Sequence, residues 1–192
     1  MKNIAVFASG TGSNFINLYK ESLNNTINGK IKLLISNNPK CGAVIFAKEN
    51  NLEFKIINDT IFPDNKDNEY ELVLFFYKID LILLAGFMKK IPENIINIYN
   101  NKILNIHPSL LPKYGGTGYY GMKVHEAVIQ SNDKISGATV HFVNEEYDKG
   151  PVVIQKTVDI GSDENSESLS KKVLKVEHKI YLQAVKLFCL NK

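Results

Sequence analysis

The apolar residues of this chain fall in short blocks, and the spacing of those blocks predicts strands and helices in alternation. Residues 4–8 form an unbroken apolar run of strand length. The turn Ser9-Gly10-Thr11-Gly12-Ser13-Asn14 follows, and an amphipathic stretch from Phe15 towards Asn25 predicts a helix. Gly29 closes this unit. Residues 31–35 predict a second strand, Asn37-Asn38-Pro39 a turn, residues 42–50 a helix and residues 54–57 a third strand. Residues 60–68 are polar, contain Pro63, and read as a loop before a helix over 69–77. Residues 81–85 are apolar throughout, as in a parallel strand covered on both faces. Gly86-Phe87-Met88 ends that strand, and Pro92-Glu93 opens a short helix.

Beyond a strand at 102–106 the pattern changes. Residues 114–121 hold four glycines and three tyrosines and read as a long flexible loop, with a helix over 124–130. Strands at 138–143 and 152–159 have no helix between them, so at least one is antiparallel. A helix from Ser166 to about Leu190 follows, with acidic residues near its start that suit the helix dipole. The pattern is that of an α/β fold: a single-domain, Rossmann-like, mostly parallel twisted sheet with helices on both faces and an antiparallel C-terminal strand portion. Residues 1–192 are expected to form that one domain. Ligands of such sheets bind beyond the carboxyl ends of the strands, so the turns after residues 8, 85 and 106 are expected to share one cleft.

Composition narrows the function. With 44% hydrophobic and 22% charged residues the chain is globular rather than disordered. The net charge of +3, from 23 Lys and Arg against 20 Asp and Glu, is too small to argue for nucleic acid but suits a phosphorylated small molecule. Cys41 and Cys189 are far apart and exclude a disulfide framework or a cysteine-rich zinc site. Met1-Lys2-Asn3 leads directly into an apolar strand without a signal-peptide pattern, and no apolar run reaches membrane-spanning length, so a cytoplasmic location is expected.

The first turn brings glycine backbone close to whatever it faces and offers helix N–H groups to an anion. It lacks the third glycine of a dinucleotide fingerprint and the lysine of a P-loop, which favours a single phosphate. It also reads as a tight turn with Ser13 or Asn14 capping a helix, and the two readings are compatible. Asn105 and His107 alternate along a strand stopped by Pro108, so their side chains point the same way. Together the amide and a protonated imidazole can donate to an oxyanion. Asp148, in Tyr147-Asp148-Lys149-Gly150-Pro151, is either a turn former or a carboxylate that raises the His107 pKa and orients its ring. His141 reads as a structural histidine, His125 as a residue on a helix face, and Glu177-His178 as solvated helix surface unless a ligand claims them.

These segments resemble the folate-dependent formyltransferases that use 10-formyltetrahydrofolate. The matches are Ser9-Gly10-Thr11-Gly12-Ser13-Asn14, Leu84-Ala85-Gly86-Phe87-Met88, residues 104–114, Val140-His141-Phe142-Val143, Asp148-Lys149-Gly150-Pro151 and Glu177-His178-Lys179-Ile180-Tyr181. The Asn-x-His with a downstream Asp is shared by the whole group. The phosphate turn, the His-Pro-Ser-Leu-Leu-Pro run and the late Glu-His narrow the resemblance to the branch that formylates glycinamide ribonucleotide in purine synthesis. The resemblance implies that Asn105, His107 and Asp148 are catalytic, that Gly12, Ser13 and Asn14 hold the substrate phosphate, and that Glu177 binds near the substrate amine. It implies folate contacts at Met88, Lys89, Lys90 and Ile91 and at Asn144, Glu145, Glu146 and Tyr147, with Lys66 a candidate for the folate tail. Lys89 stands where relatives often carry Arg, and Leu174 where they often carry Gln.

The implied partners are the two small molecules, 10-formyltetrahydrofolate as cosubstrate and glycinamide ribonucleotide, with no metal, nucleic acid or membrane, and with the chain a monomer or homodimer. A formyltetrahydrofolate hydrolase and a formyltransferase for initiator tRNA or an amino sugar share the chemistry. The hydrolase usually carries an additional N-terminal domain and the tRNA enzyme a C-terminal one, for which 192 residues leave no room. A non-catalytic nucleotide-binding module has no need of the Asn105 and His107 pair.

Overall fold

The computed structural model describes residues 1–190. Its strands form a seven-stranded sheet in the order β3-β2-β1-β4-β5-β6-β7. The chain makes two compact units, one of Met1–Leu104 with the chain from Val185 onward, the other of Asn105–Ala184.

In the first unit, β1 (Lys2–Phe7) pairs in parallel with β2 (Gly29–Ser36) on one side and with β4 (Leu81–Leu84) on the other, and β2 carries β3 (Phe54–Ile56), also in parallel. Ile4 to Phe7 and the whole of β4 are buried, as expected of central parallel strands that present apolar residues to both faces. Helices α1 (Ser13–Leu23), α2 (Gly42–Glu49), α3 (Lys66–Phe76) and α4 (Glu93–Ile98) connect the strands. Phe15 and Phe46 meet edge to face between α1 and α2. Several boundaries shift by one to three residues from the sequence reading, and two of the shifts have a physical reason. Gly29 begins β2, opposite Lys2, instead of only closing the preceding unit. The polar loop ends early, because Asp67 and Glu69 occupy the first turn of α3, where negative charge favours the helix N-terminus.

In the second unit, β5 (Ile103–His107) runs in from the first unit. Helix α5 (Met122–Gln130) follows, and β6 (Ile135–Phe142) and β7 (Val152–Asp159) pair antiparallel, as the missing helix between them implied. β7 ends the sheet order and exposes Gln155, Lys156 and Thr157, the polar treatment that protects an edge strand. The last helix, α6, spans Ser166–Leu190. No helix among the described residues is long and apolar enough to cross a membrane.

Candidate active site

Asn105 and His107 both belong to β5, so the period of the strand sends both side chains to the same face. His107 is 5% exposed. The chain beyond it is fastened to β6 by Thr139. The Thr139 hydroxyl donates to the Ser109 carbonyl at 2.6 Å and accepts from the Leu111 N–H at 3.1 Å and from Gln155 Nε2 at 2.9 Å. The Leu111–Pro112 peptide is cis.

Asp148 sits in the turn between β6 and β7 with a φ of +56°. A Cβ on Gly150 would lie 1.7 Å from the Phe142 carbonyl oxygen, so only glycine lets this turn close against β6. The carboxylate gathers four polar neighbours. Its Oδ2 lies 3.4 Å from His107 Nδ1 and accepts the Gly116 N–H at 2.9 Å. Its Oδ1 accepts from Asn105 Nδ2 at 3.3 Å and lies 3.4 Å from His141 Nε2. The structure therefore brings the expected trio together and removes the reading of Asp148 as only a turn former.

His141 also belongs to the cluster, contrary to its reading as merely structural. Its Nε2 is 3.1 Å from Asn105 Nδ2, while its Nδ1 faces the Phe142 carbonyl at 2.8 Å. A carbonyl can only accept, so Nδ1 carries a proton and donates to it. The same argument applies to His107. Its Nε2 lies 2.7 Å from the Tyr114 carbonyl and donates to it, which leaves Nδ1 towards Asp148. Tyr114 and Gly116, at the start of the glycine-rich segment, are thus tied to the cluster rather than loose.

The charge balance differs from expectation in one respect. Burial lowers the His107 pKa below its ordinary value and outweighs both Asp148 and the Tyr114 carbonyl, which raise it. Asp148 acts on the histidine in the expected direction, but desolvation decides the net result. Burial alone would raise the Asp148 carboxyl. The hydrogen bond to His141, the charge of His107 and the Gly116 N–H together hold it below the ordinary carboxylate value. Nearby, His125 in α5 is buried, its Nδ1 has no hydrogen-bond partner among the described residues, and burial followed by the His107 charge pushes its pKa down to about 4.

In the first unit, Gly12 caps α1 at a φ of +79° without a side-chain hydrogen bond. A Cβ on Gly12 would come within 2.8 Å of the Ala43 Cβ, and the Ala43 N–H donates to the Gly10 carbonyl at 3.2 Å. The turn is therefore pressed onto the start of α2. Ser13 and Asn14 open α1, and Asn14 is buried. After β4, Met88, Lys89 and Lys90 are exposed, whereas the Ile91 side chain is core and leaves only its backbone to a ligand. Lys66 and Lys89 both pair with Asp59, Lys89 at 3.8 Å. The Lys66 hydrogen bond, more than any other contact, lowers the Asp59 pKa.

In the second unit, Asn144 is half-buried and its Oδ1 accepts the Glu146 N–H at 3.1 Å, with Glu145, Glu146 and Tyr147 exposed. Glu177 is buried in α6, so the solvated-surface reading does not hold for it, and burial lowers the pKa of the adjacent His178. Among the described residues, no three His, Cys, Asp or Glu side chains gather as a metal-ligand set.

The chain belongs to the formyl transferase family, whose model matches residues 2–185. Among individual relatives, it is 40% identical over 195 residues to the chloroplastic phosphoribosylglycinamide formyltransferase of Vigna unguiculata, a match covering 98% of this chain and 61% of that protein. The chain thus spans about three fifths of the length of that curated relative. Its fold superimposes on phosphoribosylglycinamide formyltransferase from Bacillus halodurans with a TM-score of 0.90 at 30% identity, covering 100% of this chain and 96% of the other. The corresponding values for glycinamide ribonucleotide transformylase 1 from Symbiobacterium toebii are 0.91 and 29%, with 99% and 88% covered.

Proposed function

We propose that this chain is a phosphoribosylglycinamide formyltransferase. It transfers the formyl group of 10-formyltetrahydrofolate to the amine of 5'-phosphoribosylglycinamide in de novo purine synthesis, giving the N-formyl product and tetrahydrofolate. The observation that carries this reading is the single carboxylate of Asp148, which reaches both His107 Nδ1 at 3.4 Å and Asn105 Nδ2 at 3.3 Å. A non-catalytic module has no use for an amide, an imidazole and a carboxylate buried together.

In the proposed reaction the amine nitrogen attacks the formyl carbon and the carbonyl oxygen becomes an oxyanion. Asn105 and His107 donate to that oxygen, and the Asp148 charge favours the protonated His107 that does so. For His107 Nε2 to donate, the oxyanion must take the place of the Tyr114 carbonyl now bonded there. Collapse of the intermediate breaks the bond from the formyl carbon to the folate nitrogen. The amine proton passes to that departing nitrogen through a water beside Asp148. A formyl carbon bonded to nitrogen is already polarised, so these donors suffice and the reaction needs no metal.

Gly12, Ser13 and Asn14 hold the ribonucleotide phosphate, an assignment supported by the left-handed Gly12, which places no side chain over the start of α1. Glu177 binds near the substrate amine. The backbone at Met88, Lys89, Lys90 and Ile91 and at Asn144, Glu145, Glu146 and Tyr147 takes the pterin. Lys66, which pairs with Asp59, is the candidate for the carboxylates of the folate tail. Residues 1–192 act as one formyltransferase domain in the cytoplasm, as a monomer or homodimer. The test is an absorbance assay for the folate product with and without glycinamide ribonucleotide. Release only with the amine acceptor supports transfer; release without it favours a hydrolase, and no release in either case overturns the reading.

A further inference from the structure

Strands β2 and β4 flank β1 on opposite sides, and β1 is parallel to both, so the connections after β1 leave the sheet at a topological switch point. Ser9 is the residue at that point, and it is 9% exposed. Its hydroxyl is used in both directions. It donates to Asn37 Oδ1 after β2 and accepts the Met88 N–H after β4 at 3.0 Å. Its backbone N–H donates to the Gly86 carbonyl at 3.1 Å, and its own carbonyl accepts from Asn38 Nδ2 at 3.4 Å. Asn37 is held in turn, because its carbonyl accepts from Asn58 Nδ2, beyond β3, at 3.0 Å. A line of polar contacts therefore runs from Asn58 through Asn37 and Ser9 to Met88, joining the carboxyl ends of four adjacent strands.

The direction of that line matters. A hydroxyl has one proton, and Asn37 Oδ1 takes it, which turns an oxygen lone pair towards the Met88 N–H. Met88 is the first residue of the backbone assigned above to the folate pterin. The phosphate turn has its own support, the Ala43 N–H on the Gly10 carbonyl and the seat of Gly12 on Ala43. We propose that Ser9 is a positioning residue for the folate cosubstrate: its hydroxyl, aimed by Asn37, fixes the Met88 peptide that the pterin is read against. This rests on the formyltransferase reading for the identity of the ligand, but the tie itself is independent of what the chain turns over.

The experiment has two arms. Backbone hydrogen exchange in the substrate-free chain is compared between wild type, Ser9→Ala and Asn37→Leu. Losing one net hydrogen bond is expected to speed Met88 exchange roughly three- to tenfold, with Asn37→Leu, which only frees the hydroxyl to rotate, showing the smaller effect. In turnover, Ser9→Ala is expected to raise KM for the folate by a similar factor and to leave KM for the ribonucleotide within about twofold. The Ser9→Ala, Asn37→Leu double variant is expected to match Ser9→Ala alone, because Asn37 acts through the hydroxyl. Unchanged Met88 exchange in both single variants overturns the proposal, as does an equal rise in both KM values, which marks a general packing role. If the wild-type chain releases no folate product, the functional reading fails while the exchange arm still decides the tie. Should Ser9→Ala not fold, Asn37→Leu carries both arms.

Discussion

The turn from Gly10 to Asn14 offers mostly backbone, whereas the cluster of Asn105, His107, His141 and Asp148 is made almost wholly of side chains. In the turn, the shape comes from a left-handed Gly12 pressed on Ala43, and the chemistry comes from helix N–H groups that do not titrate. In the cluster, a strand period, a tight turn at Gly150 and two imidazoles converge on one carboxylate, and the chemistry depends on where protons reside. A backbone site is damaged by adding atoms, and its response to pH is that of its ligand. A buried side-chain site is damaged by removing atoms, and its response to pH is its own.

The sharpest way to break that contrast is to truncate the cluster. His107→Ala is expected to lower kcat about a thousandfold, the scale of losing an oxyanion donor, with the folded state retained. Turnover near the wild-type value would remove His107 from the mechanism. Asp148→Asn is expected to lower kcat by a smaller factor and to shift the His107 titration downwards, since the carboxylate now opposes the effect of burial. An unchanged His107 titration by NMR would separate Asp148 from the imidazole.

The second test uses stability, with His125 as the probe. Its folded pKa of about 4 lies below the ordinary 6.5, so between those values the unfolded chain binds a proton that the folded chain refuses. The corresponding stability is fully present above about pH 6.5 and is lost as pH falls through about 4, amounting to about 3 kcal/mol. The lowered His107 pKa adds a loss of the same sign. Urea unfolding at pH 7.5 and 4.5 is expected to show the fall in wild type and a clearly smaller fall in His125→Leu. Equal falls in the two proteins would place the acid sensitivity elsewhere.

Much of this was legible in the residues, and the exceptions share a cause. Alternating apolar blocks identified every strand among the described residues, most sharply β1 and β4, because burial on both faces of a parallel sheet leaves little freedom of composition. Asn105 and His107 were legible because polar residues at the end of an apolar strand need a reason. His141 was not, although the signal was present: Thr139 and His141 are the polar positions of one face of β6, and that face bonds the chain after His107 and meets Asp148. Reading the apolar face of β6 alone hid the other one. The net direction of the His107 pKa was also out of reach, because it depends on how much solvent a folded cluster excludes. The early start of α3 reflects charge placement in its first turn, which leaves no mark in the apolar spacing.

The smallest expected effect sharpens the other side of the comparison. Gly12→Ala adds one carbon at 2.8 Å from the Ala43 Cβ and asks a non-glycine residue to hold a φ of +79°. The left-handed conformation alone costs roughly 1–2 kcal/mol, and the crowding shifts the turn off its seat on α2. If the turn holds the phosphate by its backbone, as proposed, that displacement is expected to raise KM for glycinamide ribonucleotide about tenfold. KM for the folate and kcat at saturation should stay within about twofold, since the amide and imidazole are built on β5 and the carboxylate on the turn between β6 and β7. Steady-state kinetics with each substrate varied in turn, alongside a thermal melt, separate the two costs. A fall in kcat as large as the rise in KM would show that the turn acts on the chemical step, and the division between a site that holds and a site that reacts would fail.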